Sequence, residues 1–216
     1  MFVVKEKPKS VAAESYRTLR TNIQYSSFDK EYRTIAITSS EPGEGKSTTS
    51  GNLALAIAQG ENKVLLIDCD MRKPSIHKKF KISNKNGLSD LLLHRKTMEE
   101  VAVKYNEGLM IVPAGKIPPN PSEMLGSKAM SNFMDEMKRH FDYIIIDTPP
   151  IEAVTDSQIL STKVDGTILV VRAGKTKKDV VMSSVNAIRK VNGKLIGTVL
   201  NGVEQSRSKY NYYYGE

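Results

Sequence analysis

Short runs of apolar, mostly β-branched residues alternate with longer segments of helical periodicity along the chain. The runs predict strands at residues 33–38, 63–68, 109–113, 143–147, 166–171 and 195–201. Strands that are apolar on both faces and separated by helices are typical of a parallel sheet covered on both sides. The pattern therefore predicts an α/β fold with a mostly parallel β-sheet flanked by helices on both faces. In such a fold ligands bind at the carboxyl ends of the strands.

The segments between the strands have the periodicity of helices. They predict helices at residues 47–59, 88–93, 98–105, 122–140, 155–162 and 177–191. A leading helix is predicted at residues 11–25, whereas residues 204–216 are polar, rich in tyrosine and without apolar periodicity. Because unanchored termini are commonly mobile, we expect one domain over residues 1–203 and a flexible tail over residues 204–216.

Composition narrows the class of protein. The longest apolar runs are a few residues, against the roughly 20 that a membrane helix needs. The first residues lack the pattern of a signal peptide, so we expect a cytoplasmic protein. Cys69 is the single cysteine, which excludes an intrachain disulfide. The net charge is +8, but no helix-turn-helix, RRM or zinc-finger pattern accompanies it, and we expect no nucleic-acid partner.

A glycine-rich segment, SSEPGEGKST at residues 39–48, lies between the first predicted strand and the first long helix. Gly45, Lys46 and Ser47 match the phosphate-binding pattern G-x-x-x-x-G-K-[ST], and Ser40 stands at the first glycine. Glycines let backbone N–H groups converge on an anion, and the following helix offers its N-terminus to the same charge. The residues expected to bind nucleotide here are Gly43, Glu44, Gly45, Lys46, Ser47 and Thr48.

Carboxylates follow two of the predicted strands, Asp68 and Asp70 after the second and Asp147 after the fourth. Lys46 is expected to reach the β- and γ-phosphates, while Ser47, Asp147 and Asp68 hold Mg²⁺. If the strand geometry continues to Asp70, the first two aspartates share a face, and one of them can accept the proton of an incoming hydroxyl. We therefore predict Lys46, Asp68, Asp70 and Asp147 as catalytic residues, with Asp68 favoured over Asp70 as the group that accepts this proton.

Other polar residues leave alternatives open. Arg72 can stabilise phosphate charge, but Arg72 and Asp70 can equally serve a structural role at the end of a strand or helix. Asn201, at the end of the last predicted strand, can bond the adenine edge, and Arg172 can stack on the base. A loop-capping role is as compatible with the sequence for these last two residues.

Three motifs occur in order: SEPGEGKST around Lys46, LLIDCDMR around Asp68 and IIIDTPP around Asp147. Together they resemble the Walker A, Walker A′ and Walker B motifs of the bacterial protein-tyrosine kinases (BY-kinases), which have the P-loop NTPase fold. The resemblance covers nearly the whole chain. It includes ESYRTLR at residues 14–20, similar to the family's E-x-x-R-x-x-R oligomerisation motif, and IPPNPSEML at residues 117–125.

The resemblance implies a tyrosine kinase of capsular and exopolysaccharide synthesis that uses ATP with Mg²⁺ to phosphorylate its own tail. The implied acceptors are Tyr210, Tyr212, Tyr213 and Tyr214. It also implies a ring-like homo-oligomer formed through Glu14, Arg17 and Arg20. A separate transmembrane activator of the polysaccharide co-polymerase type would recruit the chain to the inner face of the cell membrane. External tyrosine substrates are compatible with this family.

A different class of function is the main alternative. ATPases of the Min/Par type share the fold and switch between monomer and dimer on hydrolysis. They resemble this chain less, because their signature lysine lies five residues before the P-loop lysine, where this chain has Glu41. A non-catalytic ATP-binding module is a third hypothesis, and without the kinase motifs the tyrosine-rich tail would be interpreted as a docking segment.

Overall fold

A seven-stranded sheet forms the centre of the protein, with the strand order β3-β4-β2-β5-β1-β6-β7. The computed structural model describes residues 2–26 and 31–204, so the four predicted phosphoacceptor tyrosines lie outside the described residues. The strands are β1 (Thr34–Ser39), β2 (Val64–Asp68), β3 (Val103–Lys104), β4 (Leu109–Val112), β5 (Tyr143–Asp147), β6 (Gly166–Arg172) and β7 (Leu195–Asn201). All neighbours are parallel except β3 and β4, which confirms the predicted mostly parallel α/β fold.

Helices cover both faces of the sheet, and a separate apolar core lies on each face. They are α1 (Val3–Glu6), α2 (Val11–Gln24), α3 (Lys46–Ala58), α4 (Ile76–Phe80), α5 (Leu88–Leu92), α6 (Met98–Val101), α7 (Pro121–Gly126), α8 (Lys128–His140), α9 (Asp156–Ser161) and α10 (Lys178–Lys190). Leu66 packs with α1 to α4, whereas its neighbours Leu65 and Ile67 pack with α5 to α9. In the described part of the chain, no helix has the length and apolar character to cross a bilayer.

Two predicted helices differ in the structure. The helix predicted at residues 98–105 is shortened to α6, and Val103 belongs to the antiparallel edge strand β3, since a β-branched residue fits a pleated edge. The helix predicted at residues 122–140 is broken at Ser127, whose side chain caps α8 by accepting a hydrogen bond from the N–H of Met130. The short helices α1 and α4 carry too little periodicity to be predicted.

The strand order brings the predicted catalytic residues together at the carboxyl ends of the central strands. β1, which leads into the phosphate-binding loop, lies between β5 and β6, and β2 lies on the other side of β5. Asp147 pairs in register with Ile37 of β1 on one side and with Asp68 of β2 on the other. Since these strands are parallel, their carboxyl ends place two aspartates side by side next to the loop.

The first residues of the chain belong to the core. Phe2 and Val4 are buried, and the Phe2 ring packs on Phe80 with 4.2 Å between ring centroids. The N–H of Val4 donates a hydrogen bond to Asn52 Oδ1 on α3 (3.1 Å). Gly51 leaves the space that the Phe2 ring occupies, because a β-carbon there would overlap the ring. The segment around α1 therefore packs on the helix that follows the phosphate-binding loop.

Phe2→Ala should lower the free energy of unfolding by about 3 kcal/mol, because it removes a buried ring and leaves a cavity against α3. Urea denaturation followed by circular dichroism measures the change. Tyr25→Ala is the matched control: its side chain is 73% exposed, and its removal should cost less than about 0.5 kcal/mol. Equal unfolding midpoints for the two variants would contradict this packing.

Candidate active site

The phosphate-binding loop joins the carboxyl end of β1 to α3, which begins at Lys46. Gly43 and Gly45 have left-handed φ angles of 84° and 100°, which glycine adopts without steric cost. Ser40, at the place of the motif's first glycine, is not among the described residues with positive φ. Its hydroxyl accepts a hydrogen bond from Ser184 Oγ on α10 (2.9 Å). The loop geometry therefore accommodates serine at this position.

Side chains from the loop and from β7 hold the loop in place. The buried Glu44 carboxylate accepts hydrogen bonds from the N–H of Glu41 (3.0 Å) and from the hydroxyl of Thr176. Asn201 Nδ2 donates to the backbone oxygen of Glu44 (2.8 Å). The Glu44 carboxylate therefore faces the protein interior. Asn201 makes a loop-capping contact, which is one of the two roles that the sequence allowed for it.

The Lys46 ammonium group lies between two carboxylates. Its Nζ is 2.9 Å from Asp70 Oδ2 and 3.8 Å from Asp147 Oδ2. Burial acts to lower the pKa of Lys46, but the negative charges of Asp147 and Asp70 outweigh burial and raise that pKa above its ordinary value. Lys46 is therefore a cation held at the mouth of the loop, close to where nucleotide phosphates would lie.

Asp147 is fully buried at the end of β5. Its Oδ1 accepts a hydrogen bond from Ser50 Oγ (2.9 Å), whereas its Oδ2 has no hydrogen-bond donor among the described residues. Burial raises the pKa of Asp147, and the charge of Lys46 and the hydroxyls of Ser47 and Ser50 oppose that rise. The site therefore contains a buried carboxylate oxygen that accepts no hydrogen bond from the described residues and faces the Lys46 ammonium group at 3.8 Å.

The oxygen ligands at this site are suited to Mg²⁺. They are too few for a cation that is bound by protein ligands alone. Within residues 2–26 and 31–204, no cluster of three or more His, Cys, Asp or Glu side chains could hold a metal ion. Mg²⁺ is commonly bound through one or two carboxylates together with substrate phosphates. Asp147 Oδ2, which accepts no hydrogen bond in the described part of the chain, and the P-loop hydroxyl of Ser47 fit that requirement.

Asp68 organises the chain that follows β2. Its Oδ1 accepts the N–H of Asp70 (3.2 Å), and its Oδ2 accepts the N–H groups of Ser75 and Ile76 (both 3.0 Å). Burial, followed by the charge of Asp147, raises the pKa of Asp68 to about 8, although the N–H of Ile76 and the charge of Lys46 act to lower it. Since β2 ends at Asp68, Asp68 and Asp70 do not share a strand face. The carboxylate of Asp68 faces the segment that follows β2, whereas Asp70 lines the cavity.

Arg72 belongs to a network that joins three segments. Its Nε and Nη2 donate to the two carboxylate oxygens of Asp156 (3.0 and 3.1 Å), and Nη2 also donates to Ser122 Oγ (3.0 Å). Hydrogen bonding to Asp156 raises the pKa of Arg72. The network ties the segment after β2 to α9 and to the IPPNPSEML segment. The structural alternative for Arg72 thus has a definite basis, and the sequence did not reveal its two partners.

A cavity of about 740 Å³ opens over the loop, within the roughly 300–1,000 Å³ usual for small-molecule sites. The residues in its wall that the sequence analysis singled out are Gly43, Gly45, Lys46, Ser47, Thr48, Asp70, Arg72, Arg172 and Asn201. Asp68 and Asp147 are fully buried beneath this wall. Sequence reasoning missed Lys73 and Lys79, which also line the cavity, because α4 and the loop before it were not predicted as part of the site.

The residues predicted for oligomerisation make contacts within the chain. Arg17 pairs with Glu14 (2.8 Å) and donates to the backbone oxygen of Pro8 (2.8 Å). Arg20 donates to the backbone oxygen of Ala56, near the C-terminal end of α3 (3.0 Å). The motif therefore lies on a helix that packs directly on the P-loop helix.

Known proteins resemble this chain over nearly its whole length. The AAA domain family matches residues 32–198. Tyrosine-protein kinase YwqD from Bacillus subtilis (strain 168) is 46% identical over 208 residues, which are 95% of this chain and 88% of that protein.

Solved structures give the same family. The chimerical protein CapA2B2 superposes with a TM-score of 0.91 at 40% identity, covering 94% of this chain and 90% of that chain. The kinase domain of Escherichia coli tyrosine kinase ETK superposes with a TM-score of 0.91 at 33% identity, covering 99% of this chain and 85% of that chain.

Asp68→Asn should flatten the pH dependence of stability in the metal-free protein. The folded pKa of Asp68 is about 8 against an ordinary 3.8, so the folded chain retains a proton that the unfolded chain releases. The stability that this proton contributes is full below about pH 4 and is lost as the pH rises through about 8. Urea denaturation in EDTA between pH 5 and 9 should show a steeper decline for the wild type. Parallel curves would contradict this titration.

Proposed function

Because the chain belongs to the bacterial protein-tyrosine kinases and carries their AAA domain over residues 32–198, we propose that it transfers the γ-phosphoryl group of ATP to the tyrosines of its own C-terminal cluster. The observation that carries the proposal is the convergence of Lys46, Ser47 and Asp70 on one cavity, with Asp147 at its base. We further propose that this autophosphorylation regulates capsular or exopolysaccharide synthesis.

The loop binds the phosphates of ATP. The N–H groups of the loop and of the first turn of α3 would donate to the phosphate oxygens, since the N-terminus of a helix favours negative charge. Lys46 contributes its ammonium group to the β- and γ-phosphates, since it already lies at the mouth of the loop. The same groups stabilise the charge that develops on the transferring phosphoryl group.

Ser47 and Asp147 Oδ2, to which no described residue donates a hydrogen bond, would hold Mg²⁺, and Asp68, in register with Asp147 on the neighbouring strand, would support the site. The ion, when bound, neutralises charge on the β- and γ-phosphate oxygens. Ser50 keeps the Asp147 carboxylate in position through the hydrogen bond to Oδ1.

A carboxylate accepts the phenol proton as the tyrosine oxygen attacks the γ-phosphorus and ADP leaves. Asp70 reaches the cavity wall and Asp68 lies two residues earlier at the strand end, so the two share this role in our proposal. Asp70 is the better placed, because it lines the cavity, whereas Asp68 is fully buried beneath the wall.

The base of the nucleotide would lie toward β6 and β7, where Arg172 and Asn201 line the cavity. The acceptor tyrosines follow β7 in the sequence. From Asn201 to Tyr210 the chain can span at most roughly 30 Å, and a chain end tethered at that length has an effective concentration of about millimolar. The tail of the same chain or of a neighbouring copy can therefore reach the cavity.

Assembly and location are part of the same proposal. The chain forms a ring-like homo-oligomer through Glu14, Arg17 and Arg20, and a separate transmembrane protein of the polysaccharide co-polymerase type recruits it to the inner face of the cell membrane and activates it. Other proteins can serve as tyrosine substrates, and no nucleic acid is required. The relative described as the chimerical protein CapA2B2 supports a kinase that works with a second polypeptide.

The competing function is an ATPase switch of the Min/Par type. It would use the same loop and aspartates for hydrolysis and would not label tyrosine. The signature lysine of that class is replaced by Glu41, an exposed acidic residue that cannot supply the contact of a lysine, which favours the kinase.

Lys46→Met should reduce tail phosphotyrosine at least 100-fold, because it removes the cation that faces the phosphates. The full chain is incubated with ATP and Mg²⁺, together with the membrane activator if needed, and phosphotyrosine is located by mass spectrometry. Lys190→Met, an exposed lysine on α10, is the matched control and should label normally. Tail labelling by Lys46→Met would refute the assignment, and ADP formation by the wild type without label would favour the ATPase switch.

Replacing Arg17 and Arg20 by alanine should convert the oligomer to a smaller species that still binds nucleotide. Within the chain the variant loses the Arg17–Glu14 pair, worth a few tenths of a kcal/mol, and the hydrogen bonds of Arg17 to Pro8 and of Arg20 to Ala56, worth about 1 kcal/mol each, so the folded chain should survive. Light scattering after size exclusion measures the mass, with Arg189→Ala on α10 as the exposed control. An unchanged mass would exclude this interface.

A further inference from the structure

Lys79, on α4, reaches the first turn of the P-loop helix. Its Nζ donates a hydrogen bond to Thr48 Oγ1 (3.0 Å), and it lines the cavity together with Lys46 and Ser47. Lys79 lies outside the three sequence motifs that predict nucleotide binding.

The backbone that carries Lys79 is well anchored. Ile76 and Phe80, on either side of it in α4, are both buried. The start of α4 is tied to the sheet, since the carboxylate of Asp68 accepts the N–H groups of Ser75 and Ile76. A lysine on this element presents its charge to the cavity from a defined position.

The charge of Lys79 is also uncompensated. Lys46 is paired with Asp70 and Asp147, and Arg72 is paired with Asp156. No carboxylate within residues 2–26 and 31–204 lies within 4.0 Å of the Lys79 ammonium group, which is partly buried. A half-buried cation without a counter-ion, directed at a phosphate-binding loop, favours the binding of an anion.

We propose that Lys79 is a second phosphate-binding lysine, which contacts the phosphates that lie against the first turn of α3 beside Thr48. The inference rests on the proposed nucleotide site and adds a residue to it. The loop amides cradle the α- and β-phosphates, and both are present in ADP and ATP. Lys79 therefore strengthens the binding of both nucleotides alike, whereas Lys46 acts on the phosphoryl group that is transferred.

Lys79→Met is the test, because methionine retains most of the aliphatic stem and removes the charge. Calorimetric titration of the full chain with MgADP and with MgATP should show both dissociation constants raised by about tenfold, the loss expected for one charge-assisted contact. Raised salt should narrow the difference from the wild type. In the kinase assay KM for ATP should rise while kcat is unchanged, as expected for uniform binding.

Two further variants separate this role from a structural one. Lys78→Met removes the neighbouring lysine, which is exposed on the same helix, and should bind both nucleotides as the wild type does. Lys79→Arg keeps the charge and should restore most of the affinity if Lys79→Met loses it. Thermal unfolding of the three variants shows whether any loss of affinity reflects misfolding.

The outcomes are distinct. Wild-type affinity of Lys79→Met for both nucleotides, a loss confined to ATP, or a fall in kcat alone would overturn the proposal. So would equal losses for Lys79→Met and Lys79→Arg. Failure of the kinase proposal would give a different result. A chain whose nucleotide affinity depends on Lys79 but which never phosphorylates tyrosine would contradict the kinase activity and still support Lys79 as a binding residue.

Discussion

The candidate active site at the carboxyl ends of the strands depends on one ammonium group that lies between two carboxylates. Lys46 lies 2.9 Å from Asp70 and 3.8 Å from Asp147, and among the residues described no other cation comes within 4.0 Å of either carboxylate. Buried carboxylates are costly without a counter-charge, so Lys46 stabilises the buried Asp147 at the end of β5 and Asp70 just after the end of β2. An entering polyphosphate would compete for the same ammonium group, and a divalent cation at Asp147 would offset the charge that Lys46 then shares.

The P-loop helix is the element that the remaining structure is built to hold. Its first residues belong to the cavity, whereas the rest of it packs against the N-terminal segment. Gly51 gives space to the Phe2 ring and Asn52 accepts the N–H of Val4. Near its C-terminal end, Ala56 accepts a hydrogen bond from Arg20 of α2. The E-x-x-R-x-x-R motif and the phosphate-binding loop are therefore separated by a single helix–helix interface.

Much of the fold could be predicted because a parallel sheet buried on both faces leaves a strong pattern in the sequence. Each of the six predicted strands has a counterpart, whereas the two-residue strand β3 was predicted as helix. Short elements escape because periodicity needs length. Ser127 shows a second limit: a single capping side chain divides a continuous amphipathic pattern into two helices, and only the local backbone reveals it.

The sequence by itself determined the chemistry that is available: a loop with lysine and serine at its end, and aspartates at two strand ends. Such groups are encoded by local motifs, and parallel strands bring their carboxyl ends to one edge whatever the details of packing. Only the tertiary structure decided how these groups are used. It turned Asp68 into the loop and Asp70 toward the cavity, gave Arg72 a buried partner in Asp156, and brought Lys79 to Thr48. Those contacts join residues that lie up to 84 positions apart in the chain, or arise where β2 ends and the chain turns, and neither spacing nor periodicity records them.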